Sequence, residues 1–91
     1  MLRDYCYDCM IKHCGQAAVL LMETKKGYPE HFIYAIGHLA EAEDEIVQKH
    51  PNQSAKIREF RISLLNGEDV DLDEFMFECY KFWRRYHDIP Q

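Results

Sequence analysis

Four metal-binding side chains crowd the start of this sequence. Cys6, Cys9, His13 and Cys14 fall in the run Cys6-Tyr7-Asp8-Cys9-Met10-Ile11-Lys12-His13-Cys14, and His31 and His38 follow on the next helical stretch. Thiolates and imidazoles are the ligands zinc favours, and a C-x-x-C pair commonly opens such a site. On a wheel of about 100° per residue, Cys6, Cys9 and His13 share one face of a first helix, opposite its apolar stripe. His31, Tyr34, His38, Glu41 and Glu45 share one face of the second. An antiparallel hairpin closed near Tyr28 sets His13 level with about residue 40, so His38 is the nearest imidazole across the gap. The expected site is therefore a closed tetrahedral zinc centre of Cys6, Cys9, His13 and His38, with His31 and Cys14 in reserve. Glu41 or Glu45 would accept the free N–H of a ligating histidine. Cys14 and Cys79 lie on apolar stripes and read as core residues.

The elements that must position these groups are all helical. The chain has 91 residues, 47% of them hydrophobic and 13% aromatic. That is the size of a single domain, 1–91, with a small core that a metal would help to hold. A first helix runs from Cys6 or Cys9 to Lys25, with the stripe Tyr7, Met10, Ile11, Cys14, Ala18, Leu21 and Met22. Gly27 and Pro29 end it. The second begins at Pro29 or Glu30 and ends before Pro51, with the stripe Phe32, Ile33, Ile36, Leu39, Ala40, Ile46 and Val47. Gly37 lies inside it, at a cost of about 1 kcal/mol against alanine, and would let another helix come close. Glu43 falls on the apolar stripe, which the pattern alone does not explain. A third helix spans Asn52 to Leu65, with Ala55, Ile57, Phe60, Leu64 and Leu65 as core. A fourth follows the Asp71-x-x-Glu74 capping box and carries Leu72, Phe75, Met76, Cys79, Phe82, Trp83 and Tyr86. The expected fold class is all-α: a four-helix bundle built from two helical hairpins, with the Cys/His site near the N-terminus.

Other chemistries are narrowed by the same residues. The string Asp69-x-Asp71-x-Asp73 fails as a calcium loop, because Glu74 replaces the glycine at its sixth position and Tyr80 the glutamate at its twelfth. A redox C-x-x-C belongs at a strand-to-helix junction, and no segment reads as a strand. Haem attachment needs histidine straight after the second cysteine, where Met10 stands. Glu41-Ala42-Glu43-Asp44 resembles the second half of the magnesium motif of all-helical nucleotide pyrophosphohydrolases of the MazG type. That resemblance implies a metal-dependent hydrolase working through Glu41, Asp44 and Glu45. The Glu-x-x-Glu half is missing from the first helix, where Glu23 stands alone.

Charge and hydropathy bear on partners. The net charge of −5 opposes non-specific nucleic-acid binding. A basic face of Lys56, Arg58 and Arg61 with Lys81, Arg84 and Arg85 is the alternative nucleic-acid reading. The apolar run Ala17 to Met22 is too short to span a bilayer, and Met1 to Tyr5 offers no apolar signal core. The expectation is a cytoplasmic, zinc-stabilised interaction or regulatory module, with catalysis of its own left open but not favoured. Its partner would be a protein, with a homodimer also open, met through the acidic cluster at Glu41 to Glu45 or the aromatics Tyr80, Trp83 and Tyr86.

Overall fold

A computed structural model describes residues 5–87. The chain forms four α-helices: α1 (Tyr7–Lys25), α2 (His31–Ile46), α3 (Pro51–Leu65) and α4 (Leu72–Tyr86). No strand occurs among the described residues. The all-α bundle of two helical hairpins is therefore the fold. α1 and α2 are the most closely packed pair; α3 lies along α2 and α4 along α1. The two outer helices meet through the stacked rings of Phe60 and Phe75, whose centroids are 3.8 Å apart.

Local chemistry explains where each helix begins and ends. Cys6 is the N-cap of α1, its Sγ accepting the Cys9 N–H at 3.2 Å. Pro51 opens α3, where its missing N–H costs nothing. Asp71 caps α4 by accepting the Glu74 N–H at 3.0 Å. Gly27 (φ 114°) and Gly67 (φ 72°) take left-handed conformations just past the ends of α1 and α3, which side chains with a Cβ adopt only under strain.

The core is narrow. Met10, Cys14, Ala17 and Leu21 of α1 face Ala35, Leu39, Ala42 and Ile46 of α2, with Ile57 from α3 and Cys79 from α4 closing the sides. Alanines alternate with larger apolar residues on the buried α2 face. This corrects the expected stripe of α2. Ile33 is 74% exposed and Val47 lies at the surface, while Ala35 and Ala42 are fully buried. On α1, Met22 is exposed and Ala17 takes the inner place expected of Ala18. Leu65 is likewise outside the α3 core. At Gly37 a Cβ would meet nothing within 4 Å, so no helix makes the close approach that the glycine suggested.

Glu43 is the buried charge of the bundle, 7% exposed. Arg61 of α3 reaches it with two donors, Nε–H to Oε2 and Nη2–H to Oε1. That hydrogen-bonded pairing raises the Arg61 guanidinium pKa further. Ser54 adds a second α3-to-α2 tie by donating to the Glu43 carbonyl at 3.0 Å. A charge on an apolar stripe is thus accounted for by a partner 18 residues away.

Candidate metal centre

The N-terminus of α1 is pinned against the C-terminal turn of α2. The Cys6 N–H donates to the Glu45 carbonyl at 2.8 Å. Tyr7 adds a second anchor: its hydroxyl lies 2.8 Å from His50 Nε2, inside a cluster of rings with Phe82 and Tyr86. A third comes from Trp83, whose indole N–H donates to Asp8 Oδ1 at 2.8 Å. The first turn of α1, which carries both Cys6 and Cys9, is therefore held from α2 and from α4.

These anchors gather two clusters of donor groups. Cys6, Cys9 and Glu45 form one, and His13, His38 and Glu41 form the other; in each, one donor atom per residue lies within 4.8 Å of the others. His13 Nδ1 is 3.0 Å from His38 Nδ1. The remaining nitrogen of His13, Nε2, is 3.1 Å from Glu41 Oε2. The four residues expected as one tetrad thus sit in neighbouring clusters along a single hairpin, each joined by a glutamate. His13, His38, Cys6, Cys9 and Glu45 are half-buried, and Glu41 is exposed. Glu45 was not expected at the thiols. Its position depends on the register of α1 against α2, which the spacing of one helix does not carry.

Without a cation, the thiol end keeps Cys9 protonated. The Cys9 thiol is pushed up to about 12, first by its hydrogen bond with Cys6, then by burial and by its hydrogen bond with Glu45, with the negative charge of both neighbours adding to the effect. Three groups that become anionic converge there, and bringing them together as anions requires a positive charge between them.

The reserve ligands lie elsewhere. His31 is at the closed end of the hairpin, stacked on Tyr28 and 3.5 Å from Glu23 Oε1. It is seven positions before His38, about 10 Å of helix away. Cys14 is fully buried 3.8 Å from Met10 Sδ, and its thiol is pushed far up by hydrogen bonding to Cys79 and by burial. All four cysteines are free thiols, and the Cys14–Cys79 pair belongs to the core.

The acidic cluster has internal partners. Glu41 turns to His13, Glu43 to Arg61 and Glu45 to the thiols, while Asp44 lies exposed and outside both donor clusters. Of the aromatics expected at a surface, Trp83 bonds Asp8 and stacks on His87, and Tyr86 stacks on Tyr7; Tyr80 remains 48% exposed beside Phe77 on α4, itself 61% exposed.

No family model matches this chain, and no curated protein or solved structure is significantly similar to it. No helix among the described residues is long and apolar enough to cross a membrane.

Proposed function

We propose that this chain is a small zinc-binding helical module that works by interaction with another protein, the metal locking α1 to α2. The observation that supports this most is the gathering of Cys6, Cys9, His13 and His38, with Glu41 and Glu45, along one side of the hairpin. Thiolate and imidazole donors together suit zinc better than magnesium or calcium, which take oxygen ligands. The donors come from both helices, and a metal between them would add a cross-link to a bundle whose core is narrow. Free cysteines fit a reducing, cytoplasmic setting. Phe77 and Tyr80 supply exposed ring surface for a protein partner.

Cys6→Ser and His38→Ala test the reading. Each is expected to lower bound zinc and the melting temperature. If both variants keep their zinc and their stability, the reading is wrong.

The other two readings find less support. A MazG-type hydrolase would use Glu41, Asp44 and Glu45 together, whereas Glu41 and Glu45 belong to different donor clusters and Asp44 to neither. The facing helix supplies cysteine and histidine where that family has Glu-x-x-Glu. For nucleic acid, Arg61 is engaged by Glu43 and Lys81 is 3.5 Å from Glu78. That leaves exposed Lys56, Arg58, Arg84 and Arg85 on a chain of net charge −5. Binding of DNA or RNA at low salt, lost as salt rises, would favour that reading over ours.

A further inference from the structure

We propose that the hairpin holds two divalent cations at separate positions: a thiolate site of Cys6, Cys9 and Glu45, and an imidazole site of His13, His38 and Glu41. The inference rests on the metal-binding reading above and replaces its single centre with two.

The argument is geometric. Metal–ligand bonds of about 2.0–2.3 Å put the donors of one tetrahedral zinc about 3.3–3.8 Å apart. Each triad has its three donor atoms within 4.8 Å of one another, close enough for one ion after side-chain rotation; at the imidazole rung His13 turns Nδ1 to His38 and Nε2 to Glu41, and binding requires one of these nitrogens to face the ion with both neighbours. Among the described residues, no grouping brings the two cysteines and the two histidines together in this way. The reason lies in the helix repeat. Cys9 and His13 are four residues apart on α1, and Glu41 and Glu45 are four apart on the antiparallel α2. Each interval is about 6 Å of helix. The two triads are therefore successive rungs of one ladder, with a carboxylate from α2 in each.

The rungs differ in chemistry. Two thiolates and a carboxylate present a site of high negative charge that suits zinc. Two imidazoles and a carboxylate present a harder site that accepts zinc, cobalt or nickel. With three protein donors each, both ions have a fourth position for water or for a group from a partner. A separation of about 6 Å also exceeds the roughly 3.5–4 Å of bridged two-metal catalytic centres, so the two ions occupy separate positions and do not form a bridged pair.

The test uses the full chain, stripped of metal under reducing conditions and titrated with zinc and then cobalt. Native mass spectrometry is expected to saturate at two ions. Cys6→Ser/Cys9→Ser should lose one ion, together with the sulfur-to-cobalt charge-transfer absorption, and keep the other. His13→Ala/His38→Ala should lose one ion and keep that absorption. Because a variant may fail to fold, X-ray absorption on the zinc-saturated wild-type chain gives a separate reading: about one sulfur per zinc if two thiolates are shared between two ions, and about two if all four residues hold one. Saturation at one ion with two sulfurs overturns this inference and leaves the zinc module standing. No bound ion in the wild-type chain overturns both.

Discussion

His13 and His38 meet nitrogen to nitrogen, Nδ1 to Nδ1 at 3.0 Å, across the α1–α2 hairpin. Without a metal, one ring must carry the proton and donate it to the other. The contact fixes the register of the two helices at mid-length, as the Cys6 N–H to Glu45 carbonyl bond fixes it at the open end. Between these two points lie all the donor groups of the candidate centre.

The Glu43–Arg61 pair should be a large single contributor to the α2–α3 contact. Glu43→Ala leaves a guanidinium facing a buried gap, and a loss of about 2–4 kcal/mol is expected in urea denaturation. Replacing both residues with leucine should recover most of that loss. A change below about 0.5 kcal/mol for Glu43→Ala would mean that the pair is not formed in solution.

Gly37→Ala should stabilise the chain. A Cβ there meets nothing within 4 Å, and alanine in a helix interior is favoured over glycine by about 1 kcal/mol. A higher melting temperature is the expected result. A lower one would show that something packs against this face of α2.

These two positions also show how far the sequence was legible. Periodicity was enough for the helix count, for the Asp71 cap and for the glycines at helix ends, because each depends on neighbours within a few residues. It did not reveal why Glu43 is buried, since the cause, Arg61, is on another helix. It favoured Ile33 over Ala35 as core because isoleucine is the more apolar side chain. Ala35 faces α1 and Ile33 does not, because of how α2 is rotated in the bundle, and hydropathy does not report that rotation. At the candidate centre, the face carrying Cys6, Cys9 and His13 was visible in the spacing of α1. The pairing of the thiols with Glu45, one rung away from the histidines, requires the register between two helices.

The thiols should fall into two reactivity classes. Cys14 and Cys79 are 0% and 1% exposed, whereas Cys6 and Cys9 are half-buried. In the native, metal-stripped chain, a maleimide reagent should reach Cys14 and Cys79 about a hundredfold or more slowly than Cys6, because access requires unfolding, with Cys9 slower than its exposure implies because its raised pKa leaves little thiolate. Mass mapping of the modified peptides checks this. Equal rates would contradict their place in the core.

Acid should weaken the fold through His50. Burial first, and the positive charge of Lys49 second, lower its pKa below the ordinary 6.5. Above that value the ring is neutral in both the folded and the unfolded chain, and stability is at its full level. As pH falls below 6.5, the unfolded chain takes up a proton that the folded chain resists, so stability drops until the folded-state value is passed. His50→Gln, measured in urea on metal-free protein to remove the ligand histidines' share of metal linkage, should flatten this part of the pH profile. An equally steep profile would place the acid sensitivity elsewhere.

The measurement that bears most directly on the central claim is metal content by elemental mass spectrometry, on untagged protein purified under reducing conditions, with a thermal melt before and after chelation. The account predicts stoichiometric zinc and a large fall in melting temperature when it is removed. A chain that carries no metal, takes up no added zinc and melts unchanged with chelator would contradict it.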